Sequence, residues 1–390
     1  MWNFDEPDGR EGTDCIKYDR REEIFGIKDV IPMWVADMDF NCPSFVIEAL
    51  QKRLEHEIYG YSFRPAEYFQ SMISWIKNRH NWTIEKEWIS FSPGIVPALN
   101  FCTLAFTQPG DNIIVQPPVY FPFFSAAESH GRNLIYNRLK ESEGKWTMDF
   151  DSLIAGIDSK TKMIILSNPH NPIGRVWTPA ELTNLADICL KNNVLIISDE
   201  IHCDLILPGY THTPLASLSE KIAENTITLI APSKTFNLAG LSTSSVIISN
   251  PVLRKSFNHV VDNLHVGSGN IFGTAASTAA YTHGHEWLDA LLDYIDNNIE
   301  FVKDYCRKMI PEIIPVQPEA TYMIWLDCRK FGMSGKELQS FFVNKAGVGM
   351  NEGSTFGPGG EGFMRMNLGT THQTVMKAME QIETAVALIR

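Results

Sequence analysis

The run KMIILSNPHNP, residues 162 to 172, is apolar from Met163 to Leu166 and then abruptly polar and proline-rich. NIIVQPPVY (112 to 120), NVLIISDEIH (193 to 202) and TITLIAPSK (226 to 234) repeat the pattern. A strand with one wet face alternates apolar and polar side chains. Continuous apolar runs belong to strands covered on both faces, as in a mainly parallel sheet flanked by helices. The stretch between the second and third runs agrees. Thr178, Pro179 and Glu181 form a capping box with proline at the first helical position, and Leu182, Leu185, Ala186 and Cys189 keep helical spacing. A strand, a helix of about four turns and a second strand make the connection that parallel neighbours require. The fold class expected is α/β.

In open parallel sheets ligands sit beyond the carboxyl ends of the strands, where Tyr120, Asn171, Asp199 and Lys234 all fall. After about residue 280 the pattern changes to a long helical stretch, then to short strand-like pieces (EATYMIWLD, 319 to 327; GFMRMNLG, 362 to 369) and a C-terminal helix. The division expected is a large domain over 46–285, with 1–45 as an arm and 286–390 as a smaller α+β domain. At roughly 100–200 residues per domain, 390 residues suit two.

A net charge of −13 leaves no basic stripe for nucleic acid. No apolar stretch approaches the ~18 residues of a membrane span, and the polar N-terminus MWNFDEPDGREG is unlike a secretion signal. The seven cysteines are scattered, odd in number and without a CxxC pair, which argues against a disulfide framework or zinc site and for a reducing cytoplasm. GPGGEG (357 to 362) formally satisfies GxGxxG, yet it precedes a strand instead of a helix and reads as a turn. His283 and His285 lack the company of further ligands and read as surface residues, so no metal is expected.

SNPHNPIG (167 to 174), SDEIH (198 to 202), APSKTFNLAGL (231 to 241) and FMRMNLG (363 to 369) together resemble, in order and spacing, the fold-type I pyridoxal-phosphate enzymes of the aminotransferase class I/II superfamily. Within it, PMWVADMDF (32 to 40), YGYSFRP (59 to 65) and SPGIVPAL (92 to 99) are similar to the cystathionine β-lyase, or C–S lyase, subgroup. The resemblance implies an aspartate-aminotransferase-like fold, pyridoxal 5′-phosphate as cofactor, a small amino-acid substrate and a homodimer with shared active sites.

It also implies roles for particular residues. Lys234, at the end of a buried strand, would form the Schiff base and later move the substrate Cα proton. Asp199 would keep the ring nitrogen protonated, Asn171 would donate to the ring oxygen, and Tyr120 would stack on the ring face. Gly94, Ile95 and Val96 would offer backbone N–H groups to the phosphate, at the start of a helix entering at Pro97. Ser233 would add a hydroxyl or serve only as a turn serine. His202 would hydrogen-bond the ring oxygen or simply fill space. Arg365 would grip the substrate carboxylate, and Tyr61 would reach the phosphate of the neighbouring subunit.

Two departures bear on the reaction. Ser242 stands where many aminotransferases carry a phosphate-binding arginine, and no Lys or Arg lies between Lys255 and Lys303, where a dicarboxylate clamp can be supplied. Both disfavour an aspartate or glutamate transaminase. The activity expected is β-elimination from cystathionine or related S-substituted cysteines, giving a thiol, pyruvate and ammonia. Transamination of an L-amino acid is the first alternative, and a cofactor-binding regulator with little turnover the second.

Overall fold

In the computed structural model, which describes residues 2–390, the apolar runs become neighbouring strands of one seven-stranded sheet. Its strands are β1 (Ile89–Ser92), β2 (Asn112–Val115), β3 (Asn133–Tyr136), β4 (Thr161–Ser167), β5 (Leu195–Asp199), β6 (Thr226–Ile230) and β7 (Ser244–Ile247). They lie in the order β1-β7-β6-β5-β4-β2-β3, and only β7 runs against the rest. The reversal follows from its connection: between β6 and β7 the chain makes short helical turns and no crossover helix.

The principal helices are α1 (Ala66–His80), α2 (Ile95–Phe106), α3 (Pro179–Lys191), α4 (Ile271–His283), α5 (His285–Met309) and α6 (His372–Ala387). Helix α3 begins at the capping box read from the sequence, with Thr178 Oγ1 accepting from the Glu181 N–H and Glu181 accepting from the Thr178 N–H. The period-two geometry of a strand sends Met163 and Ile165 to the side of Ala98, Leu99 and Cys102 on α2. It sends Ile164 and Leu166 to the opposite side, against Leu182 and Leu185 of α3. Each such side chain contributes about 1.5–3 kcal/mol by leaving water, which is why both faces of the central strands are apolar.

Helices α4 and α5 meet at Gly284, where a Cβ would stand 2.3 Å from Phe236 and 2.4 Å from the Ala280 carbonyl, so no larger residue fits. Beyond it, β8 (Ile314–Pro315), β9 (Met323–Asp327), β10 (Asn351–Glu352) and β11 (Phe363–Asn367) form a four-stranded antiparallel sheet in the order β8-β9-β11-β10. The N-terminal segment contains two short helices, Ile16–Asp19 and Arg21–Phe25, and Ile31–Pro32 pairs in parallel with Val348–Gly349. It is pinned by fully buried Lys17, whose ammonium donates to Asp39 at 2.9 Å. Removing Asp39 would cost about 3–5 kcal/mol, because the buried ammonium of Lys17 would be left alone.

Three local expectations change. Lys234 does not end a strand: β6 stops at Ile230 and the lysine lies in a single helical turn, Pro232–Thr235, since Pro232 has no N–H to extend the ladder. Helix α2 starts at Ile95, ahead of the expected entry at Pro97, with Gly94 as its cap. His283 is exposed, but His285 is half-buried with its ring packed on Trp75, centroids 4.4 Å apart. The GPGGEG turn does lead into a strand, β11.

Candidate active site

A cavity of about 210 Å³ opens at the carboxyl ends of β4 and β5, lined by Gly94, Tyr120, Asn171, Asp199, His202 and Lys234 among others. Parallel strands place the ends of β2, β4 and β5 side by side, which is why residues scattered from 94 to 234 meet here. Ile95, Val96 and Ser233 also line it. Tyr61 does not: it is fully exposed, on a stretch where Ile58, Tyr59 and Phe63 are exposed too.

The amine of Lys234 donates to the carbonyl of Ala36 at 2.5 Å, and the Tyr322 hydroxyl donates to the same oxygen at 2.8 Å. Burial first, and then the positive charge of Arg365, pull the lysine down to about 8, against the opposing carboxylates Asp37 and Asp199. Burial pushes Asp199 up to about 7, although the Ile201 N–H donates to it at 3.1 Å and Lys234 lies near. Each of these groups is therefore poised to exchange a proton near neutrality.

Arg365 lies on β11, almost completely buried, with Phe356 under its guanidinium at 4.9 Å. Its Nη2 donates at 2.8 Å to both the Trp34 carbonyl and Asn351 Oδ1, its Nη1 donates to Asn171 Oδ1 at 3.2 Å, and its Nε has no partner among the described residues. Burial lowers its pKa to about 10, which leaves it charged at neutral pH. Because arginine can only donate, the atom of Asn171 that meets it must be the oxygen. The amide N–H₂ of Asn171 is then the group left to donate into the cavity.

His202 is buried, with no partner for Nδ1 among the described residues, and burial with the charges of Lys234 and Arg365 depresses it to about 3, so the ring stays neutral. Burial raises the pKa of the Tyr120 hydroxyl, which keeps its proton.

This donor set fits pyridoxal phosphate: an amine for the aldehyde, a carboxylate for the ring nitrogen, an amide donor for the ring oxygen and an aromatic ring beside them. The first N–H groups of α2 have no partner inside the helix and suit a phosphate. The hydroxyl-bearing residues Ser242 and Thr243 line the same cavity and stand where an arginine is absent.

Sequence reasoning missed the groups that act through their neighbours. Asn351 and the Trp34 carbonyl hold Arg365, and Ala36 and Tyr322 receive and cover the lysine. Only the location of Ala36, Trp34 and Tyr322 inside recognised segments hinted at them. Asn351 carried no signal, because its role depends on β10 pairing with β11 and setting it opposite Arg365.

Residues 28–382 match the family model described as aminotransferase class I and II. The chain is 42% identical to the cystathionine β-lyase PatB of Bacillus subtilis, over 99% of this chain and 100% of that protein. Among solved structures it is similar to cystalysin from Treponema denticola, with a TM-score of 0.97, 37% identity and complete coverage of both chains. It is also similar to the pyridoxal-phosphate-bound C–S lyase from Staphylococcus hominis, with a TM-score of 0.92 and 34% identity over 99% of this chain and 98% of that one.

Proposed function

Because the chain belongs to the aminotransferase class I and II family, and has its fold-type I architecture, we propose that it is a pyridoxal-phosphate-dependent carbon–sulfur β-lyase. It acts on L-cystathionine or related S-substituted cysteines, releasing a thiol, pyruvate and ammonia with consumption of water. The end-to-end similarity to a cystathionine β-lyase carries this reading.

When bound, pyridoxal phosphate supplies an aldehyde that links to an amine and a ring that accepts the electron pair left at Cα. The protein does the rest. Lys234, drawn down to about 8, has enough free amine near neutrality to hold the cofactor, and once the substrate amine takes its place Nζ can receive the Cα proton. Asp199 would hold a proton at the ring nitrogen, and Asn171 would donate its amide N–H to the ring oxygen. Arg365, already fixed by Asn171, Asn351 and the Trp34 carbonyl, takes the substrate carboxylate and turns the Cα–H bond toward Lys234. Tyr120 would cover the ring face, while the N–H groups at Gly94, Ile95 and Val96, with Ser233, would take the phosphate.

The same reading makes the working unit a homodimer in which Tyr61 of each copy serves the other's phosphate. Exposure of Ile58, Tyr59, Tyr61 and Phe63 on one short segment supports it, since such a patch is seldom left to water. All seven cysteines are free thiols, which suits the cytoplasm, and no helix among the described residues is long and apolar enough to cross a membrane. The test is direct: purified protein should release pyruvate from L-cystathionine with no keto acid added. Rapid keto-acid-dependent transamination without pyruvate release would overturn the assignment.

A further inference from the structure

The turn that carries Lys234 and the loop that carries Asp199 are tied together away from the cavity. Thr235, fully buried and next to the lysine, donates from Oγ1 to Asp204 Oδ2 at 2.9 Å. Asp204 lies in the loop that leaves β5 after Asp199. Its Oδ1 accepts from Trp75 Nε1 at 2.9 Å and from His80 Nε2 at 2.8 Å, both on α1. Burial works to raise its pKa, but His80, Trp75 and Thr235 prevail and hold it below the usual carboxylate range, so the group is a charged acceptor. Cys203 lies close by, yet both carboxylate oxygens are already engaged, which makes this an acceptor hub and not an open cation site.

We propose that Asp204 is a positioning residue for Lys234: by holding Thr235 it fixes the separation of the lysine and Asp199, the two groups that take opposite ends of pyridoxal phosphate. The inference rests on the functional reading above. A helical turn as short as Pro232–Thr235 has little stability of its own. Its far side is fastened by Asn237, whose amide donates to the carbonyls of Met38 and Phe40 at 2.8 and 3.0 Å. Asp204 fastens the side that faces the Asp199 loop. Because this contact ties the lysine's turn to the loop that follows Asp199, loosening it lets the lysine drift relative to the ring, and displacements near 1 Å cost about 10²-fold in rate. The same drift would change how Lys234 meets the cofactor, and with it the pH at which the bound cofactor titrates.

The test uses holoenzyme carrying Thr235→Val, nearly the same size but without the donor, with Asp204→Asn as a second variant and Thr235→Ser as the conservative rescue. Thr235→Val and Asp204→Asn should lower kcat by about 10- to 100-fold with KM little changed. The midpoint of the pH titration of the bound cofactor's visible absorbance should move by about one unit, and cofactor should be lost faster on dialysis. Thr235→Ser should restore all three. A Thr235→Val enzyme that melts earlier but keeps the wild-type titration and cofactor retention would overturn the proposal, leaving Asp204 a purely structural acceptor. Borohydride trapping of the wild-type protein with peptide mapping separates the two levels. Label on a residue other than Lys234 refutes the functional reading itself, whereas label on Lys234 with an unmoved Thr235→Val titration refutes only the role of Asp204.

Discussion

Replacing Arg365 by lysine keeps the positive charge and removes the planar fork, which isolates what that fork contributes. In the structure its Nη atoms make three contacts, to Asn171 at 3.2 Å and to the Trp34 carbonyl and Asn351 at 2.8 Å. A lysine ammonium has three donors on one atom and cannot hold those partners and also both oxygens of a carboxylate. Losing one of two charge-assisted hydrogen bonds to the substrate costs about 1.5–3 kcal/mol. At about 1.4 kcal/mol per tenfold, KM for L-cystathionine should rise roughly 10- to 150-fold. The assay is pyruvate release over a range of L-cystathionine concentrations, with the visible absorbance of the bound cofactor as control, since Asn171 loses a partner at the same time. A KM within about threefold of wild type would refute the reasoning and place the carboxylate elsewhere.

Other outcomes follow from the same geometry. Asp199→Asn removes the charge opposite the ring nitrogen and should lower kcat by about 10²- to 10³-fold while the cofactor stays bound to Lys234; a variant with near wild-type kcat would refute the role. Burial and Arg365 pull Lys234 from 10.5 to about 8. The neutral amine is the reactive form, so cofactor capture by apoenzyme should accelerate as pH rises toward about 8 and then level off. A stopped-flow profile still climbing at pH 10 would contradict this. Mixing Tyr61→Ala with Lys234→Ala protein should regain about one quarter of wild-type activity, because half of the randomly formed dimers are hybrids and each hybrid holds one intact site. No recovery in mixtures that have exchanged subunits would exclude a shared site.

The central strands β2, β4, β5 and β6 were legible because they are buried on both faces, which leaves continuous runs such as Met163–Leu166 that no half-exposed strand would show. The capping box at Thr178 was legible for a similar reason, since its hydrogen bonds join residues three apart. Lys234 was placed at a strand end because the apolar run appeared to reach it. Only Pro232, which cannot donate to a ladder, moves it into a helical turn. His285 looked like surface in a polar stretch, and only the crossing of α1 beneath it supplies the Trp75 ring it covers.

By itself, then, the sequence determined four central strands, the helix that joins β4 to β5 and a set of candidate residues for the cofactor, because each is written in local periodicity or in a short motif. The tertiary structure decided what those groups meet. Arg365 comes to Asn171 across 194 positions and Asp204 to Thr235 across 31. The displacement of water from Lys234 and Asp199, which sets one near 8 and the other near 7, is the work of every segment packed around them. Solvation and long-range hydrogen bonding depend on which surfaces face each other, and that is fixed only when the sheet, the arm and the antiparallel strands close around one cavity.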